Sequence, residues 1–269
     1  RCDLRDERST GEPLVVTFVG TLRPDQQAAA KAMLKNDTGV LCAPTAFGKT
    51  VTAAAMIASR GVNTLVLVHR IELLRQWKER LQSFLGVGPH VIGTVGGGKA
   101  KPTGRIDVAV MQSLVGRGQR QGGVSALVEN YGHVIVDECH HLSAFSFEAI
   151  LKRAKAKYVL GLTATPVRRD GQQPIIFMQC GPIRHTAAKP EGAPQTLEVT
   201  PRFLSTAIVV RSDAGIQEVF RTLAVDDART ARIVGEIVDA YLQGRKVLVL
   251  TERTEHLAAI GAALSGRVQ

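Results

Sequence analysis

Short apolar runs alternate with stretches of helical periodicity along most of this chain. Val40-Leu41-Cys42, Thr64 to Val68, Ile106 to Val110, Tyr131 to Val136 and Tyr158 to Leu162 are apolar almost without interruption. Strands of that kind are buried on both faces. Between them, Val51 to Ala58 reads as a helix, and Ile71 to Phe84 places Leu73, Leu74, Trp77 and Leu81 at helical spacing. Upstream, Leu14 to Val19 is strand-like, and Pro24 opens an Ala-rich helix ending at Leu34. The pattern predicts an α/β fold, a parallel sheet with helices on both faces. Gly86 to Gly104, rich in Gly and Lys, reads as an exposed loop.

From Gly181 to Pro201 the apolar pattern lapses, and prolines at 182, 190, 194 and 201 mark a linker. Beyond it the alternation resumes: a strand over Arg202 to Val210, helices over Ile216 to Leu223 and Asp227 to Leu242, a strand over Lys246 to Leu250, and a helix from Thr254 to Leu264. We expect a first domain over residues 1–190 and the start of a second over 191–269. The chain begins at Arg1 without Met, which suggests a trimmed piece of a longer protein.

Composition adds limits. With 45% hydrophobic and 22% charged residues the chain can bury a real core, and 4% aromatics make that core aliphatic. A net charge of +10 favours a polyanionic partner. Cys2, Cys42, Cys139 and Cys180 are widely spaced and read as reduced thiols, so a cytoplasmic location is expected. No run is long and apolar enough for a membrane span, and no membrane partner is expected.

The candidate chemistry sits at two strand ends. After Val40-Leu41-Cys42 comes Ala43-Pro44-Thr45-Ala46-Phe47-Gly48-Lys49-Thr50, which runs into a helix. A small-residue loop there offers backbone N–H groups and the helix dipole to phosphate oxygens. Lys49 adds a point charge and Thr50 a hydroxyl for Mg²⁺. After Val134-Ile135-Val136 come Asp137 and Glu138, carboxylates suited to a metal and an attacking water. The two segments together indicate binding, and hydrolysis, of a nucleoside triphosphate. Cys139-His140-His141 is too compact to wrap a zinc ion. Trp77, at core spacing, reads as packing, and Arg168 and Arg169 read as solvated surface.

Other landmarks fall in order around these: Leu22-Arg23-Pro24-Asp25-Gln26 upstream, Val68-His69-Arg70, Val110-Met111-Gln112-Ser113-Leu114, Thr163-Ala164-Thr165-Pro166, and Leu248 to Arg253. The series resembles superfamily 2 helicases and translocases, closest to the DExH group with the XPB-like and restriction-motor branches, over Leu22 to Leu264. The resemblance implies RecA-like domains and an ATP-driven motor on nucleic acid, DNA ahead of RNA, with ATP and Mg²⁺ as cofactors. It implies that Arg23 and Gln26 read adenine, while Thr45, Ala46, Phe47, Gly48, Lys49 and Thr50 hold phosphates. Thr50 and Asp137 would hold Mg²⁺, Glu138 would orient or deprotonate the attacking water, and Glu138, Lys49 and Asp137 would form the catalytic set. His140, Thr163 and Thr165 would couple the nucleotide to the domain interface. His69, Arg70, Gln112 and Ser113 would lie along the nucleic-acid backbone.

Two departures from that family temper the expectation. Ala46 stands where Gly is usual, so it must take an ordinary conformation or accept strain. The family's Arg-rich Q-x-x-G-R-x-G-R segment does not occur, which predicts weak turnover. An ATP-gated nucleic-acid clamp without turnover is the alternative. Oligomeric state is not legible.

Overall fold

Eight strands form one mixed sheet in the order β4-β3-β5-β2-β6-β7-β1-β8. They are β1 (Thr38–Cys42), β2 (Thr64–Val68), β3 (Ile92–Gly96), β4 (Lys99–Lys101), β5 (Ile106–Val110), β6 (His133–Val136), β7 (Tyr158–Thr163) and β8 (Ile183–Thr186). Every pairing is parallel except the β3–β4 hairpin. The computed structural model describes residues 5–115, 123–140, 144–165, 173–188, 198–203 and 213–268. The chain divides into two compact units, Arg1–Ala193 and Pro194–Gln269.

The central strands show why continuous apolar runs mean double burial. Leu65 and Leu67 pack on one face of β2, while Val66 and Val68 pack on the other. Val134 and Val136 oppose Ile135 in the same way, because successive strand residues point to opposite faces. One face is covered by α1 (Pro24–Leu34), α2 (Lys49–Arg60) and α3 (Ile71–Leu85), whose Met33, Met56, Ile57, Leu74, Trp77 and Leu81 fill that half of the core. The other carries Phe147, Ile150 and Leu151 of α4 (Ala144–Arg153), and Ile176 and Cys180 of α5 (Gln173–Cys180).

Three expectations are corrected in this unit. The Gly86 to Gly104 segment is an edge hairpin, with Thr94 opposite Lys101 and Gly96 opposite Lys99. Lys side chains suit an exposed sheet edge, and glycines with positive φ at Gly97 and Gly98 make the turn. The first part of the Gly181 to Pro201 linker is strand β8, which pairs with β1; Pro190 and Pro194 lie outside the described residues. Leu14 to Val19 has the alternating burial of a strand but joins no sheet. It straps the unit through Leu14 N–H to Gly61 O (2.8 Å) and Val19 N–H to Phe84 O (2.8 Å).

The second unit holds α6 (Ile216–Ala224), α7 (Asp227–Leu242), capped by Asp226, and α8 (Thr254–Leu264). Lys246 to Leu250 forms no strand, and Leu248 and Leu250 are 81% and 84% exposed. Its backbone has no neighbouring strand among the described residues, and most of the strand expected over Arg202 to Val210 lies outside them.

Candidate functional site at the C-terminal edge of the sheet

The parallel strands β1, β2, β5, β6 and β7 deliver the phosphate loop, His69–Arg70, Gln112–Ser113, Asp137–Glu138 and the Thr163 segment to one edge, while Arg23 and Gln26 come from the start of α1. Ligand crevices of open α/β sheets lie outside the strands' carboxyl ends. Backbone bonds carry the pairing one to three residues beyond the strands: Ala43 N–H to Thr163 O (2.8 Å), Asp137 N–H to Leu67 O (2.9 Å) and Cys139 N–H to Leu162 O (3.0 Å). Each functional loop therefore leaves the sheet at a set position.

The loop between β1 and α2 turns back on itself through Phe47 N–H to Pro44 O (3.2 Å). Gly48 is the N-cap of α2 with φ +88°. A Cβ there would lie 2.6 Å from Gln26 Nε2, so only glycine fits. Ala46 takes the strained alternative, with φ +70°. Thr45 and Ala46 are exposed, Thr50 is half-buried, and the Phe47 side chain is buried in the core. Phe47 thus offers only backbone, and its carbonyl accepts from both Arg23 Nη2 (2.9 Å) and Gln26 Nε2 (2.7 Å). Gln26 Oε1 also accepts from the Arg23 backbone N–H (3.0 Å), which ties down the first turn of α1. Arg23 and Gln26 therefore buttress the loop, and Gln26 retains a second N–H and a second lone pair.

Lys49 Nζ donates to Ala43 O (3.2 Å) and pairs with Glu138 Oε1 (3.2 Å). Glu138 Oε2 is buried without a hydrogen bond, 3.4 Å from His140 Nδ1. His140 Nδ1 also meets Thr163 Oγ1 at 2.7 Å. The Thr163 hydroxyl proton goes to Thr165 O (2.7 Å), which can only accept. That pattern assigns the ring proton of His140 to Nδ1. Lys49, Glu138, His140, Thr163 and Thr165 so form one polar chain across the strand ends. Glu138 has φ +46°, and Ala46 and Glu138 are the non-glycine residues at positive φ among those described. Left-handed backbone at such residues is strain held by its surroundings, and it concentrates at functional sites.

Asp137 is 7% exposed, with Oδ1 accepting from Glu138 N–H (3.0 Å) and Oδ2 from the Trp77 indole N–H (2.7 Å). Burial raises its pKa, and Glu138 adds to this; the Trp77 N–H and Lys49 oppose it. Each carboxylate oxygen keeps a second lone pair. With the Thr50 hydroxyl this is an all-oxygen donor set, the kind Mg²⁺ takes. The cradle fits a phosphate-bound Mg²⁺: a cationic Lys49, a buried unbonded oxygen on Glu138, and a loop too tight for a Cβ at Gly48.

The remaining candidates separate into two places. His69 and Arg70, at the start of α3, line a groove with Thr45, Glu138, His140 and Ala164. Gln112 and Ser113, in a 3₁₀ turn after β5, line a different groove, against Gly98, Lys99 and Ala100 of the hairpin. His141, Pro166, Arg168 and Arg169 lie outside the described residues. The bond from Trp77 to Asp137 is what sequence reasoning missed, since helical spacing indicates burial and says nothing of a partner across the fold.

Comparison with known proteins agrees with this geometry. The family described as type III restriction enzyme, res subunit, matches residues 20–168, more than half the chain. The chain is 36% identical over 162 residues to the DNA 3'-5' translocase XPB2 of Sulfurisphaera tokodaii, covering 60% of this chain and 35% of that protein. It is 33% identical over 168 residues to the DNA 3'-5' helicase XPB of Mycobacterium tuberculosis, covering 62% and 30%. It therefore spans about a third of the length of these relatives. Its fold is similar to that of the UvsW helicase from bacteriophage T4, with TM-score 0.51 and 17% identity over 63% of this chain and 62% of that one. The strand-end constellation and the family match lead to one conclusion: the chain belongs to the type III restriction enzyme res-subunit family, in the XPB-like branch of the superfamily 2 helicases and translocases.

Proposed function

We propose that this chain is the ATP-binding motor portion of a DNA helicase or translocase, coupling ATP hydrolysis to movement on nucleic acid. The observation that carries the reading is the Lys49–Glu138 pair, 3.2 Å apart at the ends of α2 and β6. It brings the phosphate-binding cation and the water-activating carboxylate together.

In this reading Lys49 and the first-turn amides of α2 hold the triphosphate, and Gln26 presents its remaining N–H and lone pair to adenine. Thr50 and Asp137 hold Mg²⁺, which when bound neutralises charge developing on the phosphoryl oxygens. Lys49 must leave Glu138 for the phosphates, which frees Glu138 Oε1 to accept a proton from water. His140 and Thr163 then sense that change, since both sit on the same polar chain. His69 and Arg70 would hold the nucleic-acid backbone beside this site, and Gln112, Ser113, Lys99 and Lys101 would extend the track along the hairpin. Contacts of that kind favour affinity over sequence. We further take residues 191–269 as the start of a second RecA-like domain.

The test is ATP turnover with and without DNA or RNA. Lys49→Ala should abolish nucleotide binding by calorimetry or weaken it severely. Glu138→Gln should keep binding while turnover falls at least about 100-fold, as loss of a general base does. Unchanged turnover in Glu138→Gln would remove that residue from the mechanism, and no stimulation by any nucleic acid would sink the motor reading.

A clamp that binds ATP without turnover is the second reading. The strain at Ala46 favours it. Nucleotide-dependent DNA binding without phosphate release would select it.

A further inference from the structure

We propose that Trp77 is a positioning residue for the metal site: its indole N–H sets the orientation of the Asp137 carboxylate before a cation binds. The inference rests on the reading of Asp137 as a Mg²⁺-holding residue.

Trp77 sits mid-way along α3, 2% exposed, among Leu74, Leu81 and the strand residues of its core face. An aliphatic or phenyl side chain could fill such a place. Tryptophan adds one polar atom, a ring N–H that can only donate. That N–H is spent on Asp137 Oδ2 at 2.7 Å. The other oxygen is held by Glu138 N–H at 3.0 Å. Two donors from different elements thus grip the two carboxylate oxygens. A carboxylate turning about its last bond has a broad torsional well, and holding both oxygens narrows it. Each oxygen keeps one lone pair for a cation or its water. Trp77 itself touches no reacting atom. It acts through Asp137, and it ties that carboxylate to the helix that begins directly after His69 and Arg70.

The experiment measures ADP binding by calorimetry in EDTA and across a Mg²⁺ titration, for the wild-type chain and for Trp77→Phe. Phenylalanine keeps an aromatic ring in the core and removes the donor. We expect the Mg²⁺ needed for half-maximal gain in ADP affinity to rise about 10- to 100-fold, the range for partners that orient metal ligands. ADP affinity in EDTA should stay the same, which a general packing defect would not spare. An unshifted Mg²⁺ dependence in Trp77→Phe overturns the inference alone. If the wild-type chain gains nothing from Mg²⁺, the metal reading of Asp137 falls and the inference falls with it. A second measurement needs no variant. Trp77 is the chain's one tryptophan, so adding Mg²⁺ to the ADP-bound wild-type chain should change its emission. Unchanged emission at saturating Mg²⁺ overturns the proposal.

Discussion

At the scale of single residues, the phosphate loop is decided by two backbone positions. Gly48 and Ala46 both have positive φ, and only Gly48 is suited to it. An L-residue held in the left-handed region costs about 1–2 kcal/mol. Ala46→Gly should therefore raise the denaturant midpoint by the equivalent of about 1 kcal/mol with an unchanged m-value. An unaltered or lower midpoint would mean that the loop relaxes away from φ +70°. Gly48→Ala should do the opposite, because its Cβ would collide with Gln26 while φ stays at +88°. We expect a loss of at least about 1 kcal/mol, read from the same denaturation curves. The departure at Ala46 was visible in the sequence. Which of the two outcomes it took, ordinary conformation or strain, was decided by the bonds that fix its neighbours, Phe47 N–H to Pro44 O and Phe47 O to Gln26 and Arg23.

At the scale of elements, pairing decided what pattern alone did not. Strands β1, β2, β5, β6 and β7 are apolar on both faces and were legible for that reason. The hairpin β3–β4 was not, since its glycines and lysines are what an exposed edge and an exposed loop have in common. Conversely, Leu14 to Val19 and Lys246 to Leu250 have strand composition and no ladder. Buried polar groups also pin the elements together at the opposite edge from the phosphate loop. Asp107, at the start of β5, is fully buried and accepts from Tyr131 Oη (2.6 Å), Thr103 N–H (2.8 Å) and Gly104 N–H (2.8 Å). Tyr131→Phe leaves that carboxylate short of a donor. It should cost about 1.5–3 kcal/mol in chemical denaturation, as hydrogen bonds to charged groups do, and leave nucleotide affinity unchanged. A fall in affinity equal to the fall in stability would tie this edge to the site.

At the scale of the molecule, acid should weaken the first unit through His133. This residue is buried at the start of β6, edge-on to Tyr158, and its pKa is lowered from 6.5 to about 3 by burial first and by Arg60 second. The unfolded chain therefore takes up a proton near pH 6.5 that the folded chain refuses. Stability is complete above that pH and falls by up to about 1.4 kcal/mol per unit as pH drops toward 3. His133→Leu should flatten that limb of the stability profile; an unchanged slope would exclude His133 as its source. The second unit contrasts with the first. Ala224, Thr230, Val234, His256 and Ile260 are its buried residues among those described. Its α7 and α8 amides should exchange with solvent orders of magnitude faster than those of β1, β2 and β6. Equal protection in the two units would contradict this.

The sequence by itself determined the α/β class, the doubly buried strands β1, β2, β5, β6 and β7, and the phosphate loop and Asp-Glu pair at strand ends. Local spacing and residue type suffice for these, because burial on both faces and a loop before a helix are properties of contiguous residues. Only the tertiary structure decided that Lys49 meets Glu138, that His69 and Arg70 share a groove with Glu138 while Gln112 and Ser113 lie beside the hairpin, and that Trp77 holds Asp137. Those contacts join residues up to 89 positions apart. They depend on strand order in the sheet, which hydrogen bonding between distant segments sets and no local pattern encodes.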